Sequence, residues 1–255
     1  MLRIESIVNF RDVGGHATAD GRRMREGVVY RSGHLAAISR EDAAALEALP
    51  IRTVIDFRTN VDVSEDGGSG RLENARRVNL PMGDPASGGE IRELFSASDG
   101  AALERHLGDG QAEAIMIAAA EGLVLSEQEG FAGMLRVLAE PDATPALVHC
   151  SAGKDRTGWA SSLLLLIAGV PEETVVAHYT ESNRRRAAEN ADVLGRLREG
   201  VDPEWIRPFL ECRAVYAHAS LRVLRERWGD VESYAVEGLG LSRAELGRVR
   251  EMLLG

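Results

Sequence analysis

The sequence predicts an α/β fold, a central sheet flanked by helices with a helical lid or insertion in mid-chain. Three observations carry this. Short β-rich runs at residues 27–32, 51–58, 76–80 and 146–148 are separated by longer stretches of helical pattern. A glycine-containing loop joins the last of these runs to the apolar stretch 159–168, a strand–loop–helix order. A length of 255 residues with 44% hydrophobic residues suffices for one large core, so a single domain over residues 1–255 is expected.

In chain order, residues 6–10 read as a short strand leading into a turn at Gly14-Gly15, and residues 27–32 as a second strand broken by Gly33. Ser39 reads as a helix N-cap, with Asp42 in the first turn, Ala44, Leu46 and Leu49 on the buried side and Pro50 ending the helix. Residues 51–58 are mostly apolar and read as a central strand with Asp56 and Arg58 at its C-terminal end. Residues 62–70, acidic and glycine-rich, read as a solvated loop, and 76–80 as a further strand. From about 84 to 130 the pattern is mostly helical, with segments at 90–95, 101–106, 111–122 and from 127 toward 140; this is the expected lid or insertion, against an ordinary peripheral helical layer. Val170-Pro171-Glu172 opens another helix, Asp202-Pro203 a helix running toward Trp228, and Ser242 with Glu245 forms a capping box for a last helix over 243–254. Arg184-Arg185-Arg186 reads as a solvated face.

Thirty basic against forty acidic residues give a net charge of −10 and a pI near 5.2. That argues against a duplex nucleic-acid surface and against general adhesion to anionic membrane, and leaves room for a local basic pocket. Two cysteines, Cys150 and Cys212, make no disulfide framework. Residues 1–5 lack the apolar core of a signal peptide and no run is long enough to span a bilayer, so a cytoplasmic protein is expected, leaderless secretion leaving no mark in a sequence. The oligomeric state is not legible.

The loop itself carries chemistry. His149-Cys150-Ser151-Ala152-Gly153-Lys154-Asp155-Arg156-Thr157 lies between a strand and a helix N-terminus, where unpaired amides and the helix dipole favour an anion. Amides from Ser151 through Arg156, with permissive Gly153, can curl around a phosphate, and the planar fork of Arg156 suits two of its oxygens. The same positive field favours the thiolate of Cys150, a nucleophile aimed at bound phosphorus.

His149-Cys150, five further residues and then Arg156-Thr157 resemble the signature of cysteine-dependent protein-tyrosine phosphatases. Together with Asn9-Phe10-Arg11-Asp12-Val13-Gly14-Gly15, Tyr30-Arg31-Ser32-Gly33, Asp56-Phe57-Arg58-Thr59, Gly229-Asp230-Val231-Glu232-Ser233-Tyr234 and Gly238-Leu239-Gly240-Leu241, the loop is similar to the bacterial protein-tyrosine and dual-specificity phosphatases typified by mycobacterial protein tyrosine phosphatase B. Only residues 84–130 are unmatched. The resemblance implies a tyrosine-phosphatase-like sheet and hydrolysis of phosphotyrosine. It allows phosphoserine, phosphothreonine or phosphoinositides as further expected substrates, the last because a basic residue at the position of Lys154 accompanies that activity in related enzymes. It also implies a Thr157 hydroxyl that stabilises the thiolate leaving group, and helices covering the site. Substrate is the only partner expected, and no cofactor.

For the general acid, Asp56 ranks first because ligands collect at the carboxyl ends of strands in open α/β sheets; the alternative is an ionic partner for Arg58 or Arg156. Asp155 ranks second and Asp84 third. Arg31 is either near substrate or a surface ion pair. His149, adjacent to Cys150 on a strand, points to the opposite face and reads as loop support rather than a base. The six histidines show no zinc spacing, so no metal is expected. Cys212 reads as a small buried hydrophobe. A rhodanese-like sulfurtransferase and a catalytically silent phosphate-binding module are the alternative functions.

Overall fold

The computed structural model describes residues 4, 6–70, 72–83, 100–197 and 200–255. Five strands, β1 (Arg11–Asp12), β2 (Val29–Ser32), β3 (Thr53–Asp56), β4 (Arg76–Asn79) and β5 (Ala146–His149), form one sheet in the order β1-β2-β5-β3-β4. Only β1 is antiparallel to its neighbour. The last strand in sequence is therefore the middle one, flanked by β2 and β3, and the parallel strands end along one edge with Ser32, His149 and Asp56 side by side.

Period-2 alternation divides the sheet between two apolar clusters. Val54 and Leu147 pack with Ile7, Leu46 and Ile51 on one face. Val29, Ile55 and Val148 pack on the other with Leu163 and Leu164 of a helix buried on nearly every side. Four-residue parallel strands this apolar need cover on both faces, and they have it. The expected strand at 6–10 does not form. Asn9 sits at φ 63, a left-handed conformation that asparagine tolerates and a strand does not, so pairing starts at Arg11.

Helix α1 (Arg40–Glu47) starts at Ser39, whose hydroxyl accepts from the Asp42 amide at 3.1 Å; Leu46 is its buried residue and Ala44 is exposed. Within the expected solvated loop lies a short helix, α2 (Asn60–Glu65), with a Thr59/Asp62 capping box and a buried Asp62. The capping pair is strong enough to nucleate one turn despite the glycines that follow.

In the expected lid region, residues 84–99, including Asp84 and the segment 90–95, lie outside the described residues. Helices α3 (Gly100–Leu107), α4 (Gln111–Ser126) and α5 (Gln128–Leu138) follow. α4 packs along α11 (Ala214–Trp228), and α5 enters the main core through Phe131, Met134, Leu135 and Leu138. α6 (Arg156–Ile167) is the buried helix after β5, succeeded by α7 (Glu172–Thr180), α8 (Ser182–Arg185) and α9 (Ala187–Gly195).

Residues 203–228 are not one helix. α10 (Pro203–Leu210), capped by Asp202 and carrying Pro208, ends at the extended Glu211 before α11 begins. Short α12 (Val231–Ser233) and a π-helical turn (Tyr234–Gly238) lead to α13 (Arg243–Leu254), started by the Ser242/Glu245 capping box. Among the described residues, no helix is long and apolar enough to cross a membrane.

Candidate active site

Cys150 leaves the central strand at the carboxyl edge of the sheet, 2% exposed, and the chain curls through Ser151–Asp155 into α6. The curl depends on Gly153. Its φ is +67, and a Cβ there would meet the Ser32 carbonyl carbon at 2.4 Å and the Gly33 nitrogen at 2.5 Å. A second close approach, the Tyr179 ring over Gly158, leaves a Cβ 2.9 Å from ring carbons and seats α7 against the first turn of α6.

Arg156 is the first residue of α6 and is 2% exposed. Its Nη1 donates to Asp62 Oδ2 at 2.8 Å, to the Met82 carbonyl at 3.1 Å and to the Phe57 carbonyl at 3.4 Å. The guanidinium is thus fixed before any substrate arrives. Burial opposes the charge on Asp62, yet the hydrogen bond and charge of Arg156 outweigh it and hold the carboxyl below the usual range. Sequence reasoning missed Asp62 because it reads as part of a polar loop. The Thr59-x-x-Asp62 spacing signals the capping box but not the second duty of its carboxylate.

Asp56 sits in an ion-pair network. It is wholly buried, and Arg58 grips both its oxygens, Nε on Oδ1 at 3.0 Å and Nη2 on Oδ2 at 2.9 Å, while Arg77 donates to Oδ2 as well. Burial pushes this carboxyl up, but the Arg58 hydrogen bonds outweigh it and take it down to about 2. The ionic pairing with Arg58 that the sequence leaves as the alternative is thus present, in a network that Arg58 extends to Asp66 at 3.0 Å. His149, in register with Asp56, lies 3.7 Å from it through Nε2, and its Nδ1 is 3.1 Å from the Cys150 carbonyl. Burial takes His149 down to about 4, so the ring is neutral and braces the loop.

Asp155 lies inside the loop. Its Oδ1 accepts from the Tyr179 hydroxyl at 3.4 Å and its Oδ2 is 3.3 Å from the ammonium of buried Lys154. Burial lifts the Tyr179 phenol well above its usual range, which keeps it a donor to that carboxylate. Behind Asp155, Trp159, Ser162, Tyr179, Tyr216 and Ser220 line a narrow, mostly apolar cavity. The Thr157 hydroxyl is buried and has no hydrogen-bond partner among the described residues.

Two further readings change. Arg31 is fully buried, has no carboxylate partner among the described residues, and donates to the Gly153 carbonyl at 2.6 Å. The triple arginine is not one solvated face. Arg184 is exposed on Glu181, whereas Arg185 donates to the Phe10 carbonyl at 3.1 Å and Arg186 to the Ala152 carbonyl at 2.9 Å. Cys212 is buried, its backbone held by Asn183.

The tyrosine phosphatase family profile matches residues 2–255. The chain belongs to that family. It is an enzyme, a phosphatase, and the profile takes in the whole cradle together with Asn9, Arg31 and Asp62. The phosphatase is 36% identical to a Cupriavidus necator protein bearing the name of a tyrosine-protein phosphatase, over 96% of this chain and 86% of that one. It is 30% identical to the triple specificity protein phosphatase PtpB of Mycobacterium tuberculosis over 97% of this chain and 96% of that one. A tyrosine-protein phosphatase of Nostoc commune shares 27% over 88% and 73%. Family membership sets aside the sulfurtransferase alternative.

Proposed function

We propose that this phosphatase hydrolyses phosphotyrosine through a phosphocysteine on Cys150, and that the same loop takes phosphoserine, phosphothreonine and phosphoinositides. The observation that carries the mechanism is the pairing of a cysteine at the mouth of a strand–loop–helix cradle with an arginine immobilised by Asp62. Three of the substrate's oxygens face the amides of Ser151 through Arg156 and the guanidinium, where preorganised donors stabilise the charge of the transition state. Breadth of substrate is supported by the name of the mycobacterial relative, a triple specificity enzyme, and by Lys154, which adds a cation at the loop.

The Cys150 sulfur attacks phosphorus and the bond to the leaving oxygen breaks. Asp155, in the loop and less enclosed than Asp56, supplies the proton that oxygen needs, and Tyr179 and Lys154 orient its carboxylate. Water then attacks the phosphocysteine, Asp155 takes its proton, and phosphate leaves as the thiolate is restored. The unpartnered Thr157 hydroxyl is a donor available to that sulfur. We also read residues 1–255 as one domain, supported by an apolar cluster that runs from one face of the sheet to α13, with the helices at 100–126 as cover beside the site. A reactive thiol fits a reducing, cytoplasmic setting.

The test is initial-rate hydrolysis of a phosphotyrosine peptide and a phosphoinositide panel, without added metal, by the wild type and Cys150→Ser. Turnover that vanishes in the variant is the expected result, and the peptide-to-lipid ratio reads the substrate preference. A reduced wild type that binds phosphate and turns over neither substrate would make the protein a silent binding module.

A further inference from the structure

Most of the phosphate loop's carbonyls are held from outside. The His34 amide donates to the Ser151 carbonyl at 2.9 Å, Arg186 Nη1 to the Ala152 carbonyl at 2.9 Å, and Arg31 Nη2 and Asn9 Nδ2 to the Gly153 carbonyl at 2.6 Å each. A trans peptide is planar, with its C=O and the following N–H antiparallel. A carbonyl pinned outward therefore aims the next amide inward. Pinning Ser151, Ala152 and Gly153 points the amides of Ala152, Gly153 and Lys154 toward the centre of the curl, where an oxyanion is bound.

Two of these clamps are made by charged side chains at a price that hydrogen bonding alone does not explain. Arg31 is fully buried and makes one hydrogen bond, and its Nε and Nη1 have no acceptor among the described residues. Arg11, beside it, is 5% exposed and donates only to neutral groups: both oxygens of Asn9, the His178 carbonyl at 2.9 Å and Ser182 Oγ at 3.1 Å. Arg186 Nε is buried without an acceptor as well. None of the three arginines pairs with a carboxylate among the described residues. Burial of Arg31 works against its charge. A cluster of this kind is at its most strained when the cradle is empty, and a bound dianion relieves it.

We propose that Arg31 and Arg186 are positioning residues that hold the loop amides in their anion-binding orientation and couple that orientation to a reserve of uncompensated positive charge. Neither lies in the Cys150–Thr157 motif; one comes from β2 and the other from the end of α8. The inference rests on the phosphatase reading above, and its test separates the two.

In a Cys150→Ser background, binding of inorganic tungstate is measured by calorimetry for the parent and for Arg31→Gln, Arg31→Lys and Arg186→Gln. With Cys150 intact, its alkylation by iodoacetate is compared with alkylation by neutral iodoacetamide. Removing one preorganised donor from an oxyanion site commonly costs about 10²–10³ in rate, and loosening such donors should cost tungstate affinity about tenfold. The iodoacetate-to-iodoacetamide ratio should fall in parallel, which a change in stability alone does not produce. Arg31→Lys keeps the charge but not the fork and should recover part of the ratio. Arg186 is half-buried, so Arg186→Gln carries the test even if Arg31→Gln does not fold. Variants that bind tungstate within twofold of the parent with an unchanged alkylation ratio overturn the inference alone. A parent protein that binds no tungstate overturns the phosphatase reading and the inference with it.

Discussion

Asp155 and Asp56 are the two candidate acids among the described residues, and their surroundings differ. Asp56 is wholly buried under the guanidiniums of Arg58 and Arg77, whereas Asp155 is partly exposed in the phosphate loop, with a phenol on one oxygen and an ammonium near the other. Asp155→Asn should therefore lower kcat on an alkyl phosphate by about 10²–10³ and on p-nitrophenyl phosphate, whose leaving group needs no proton, by less than about tenfold. Asp56→Asn should lower both alike and lower Tm, because it leaves the buried Arg58 guanidinium against a neutral group. A leaving-group dependence that follows position 56 instead would return the acid role to Asp56. Cys150, Arg156 and the loop between them were legible in sequence because the motif is local. The carboxylate that fixes Arg156 was not, because Asp62 is 94 residues away and its own neighbourhood predicts a solvated loop. Separation in sequence also hid the contacts of Arg31 and Arg186, which lie 122 and 34 residues from the loop carbonyls they hold.

At the scale of elements, the features encoded within four residues were readable. Ser39, Asp202 and the Ser242/Glu245 box start helices where their side chains can accept a backbone N–H, and the apolar runs at 51–58 and 146–148 became neighbouring central strands. What failed were boundaries decided by tertiary contacts. The run at 6–10 is apolar enough for a strand, but Asn9 turns away to reach Gly153, and α10 breaks before α11 although the residues between them do not forbid a helix. The loop between β5 and α6 is the element with least latitude. Gly153→Ala should abolish measurable tungstate binding and lower kcat/KM by at least about 10², since a Cβ both opposes the left-handed backbone and strikes the end of β2. Far-ultraviolet circular dichroism should stay that of the wild type; an alanine variant with near-normal turnover would show that the curl can form another way.

For the whole molecule, a net charge of −10 surrounds a loop to which Arg31, Lys154, Arg156 and Arg186 bring positive charge, so favourable potential for a substrate dianion is local to that loop. The buried neutral imidazoles set an acid limit on stability. With His149 at about 4 in the native state against 6.5 in an exposed chain, the unfolded form binds a proton that the native form refuses between those values. Stability should therefore fall as pH drops from about 6.5 to about 4, by on the order of 3 kcal/mol for this one residue. The Asp56 network adds a further loss only below about 3.8, as pH approaches the native value of about 2. Scanning calorimetry from pH 7 to 4.5 should show the first decline, and His149→Gln should flatten it; an unchanged slope in that variant would assign the decline elsewhere. The clamps on the loop also reach across the chain: Asn9 is 144 residues from Gly153, and Arg11 reaches 171 residues to Ser182. Contacts so remote in sequence close late during folding. A nascent or proteolytically shortened chain can therefore carry the full cysteine motif without the contacts that frame it, and the cradle is complete only when synthesis has delivered the residues on both sides of the loop.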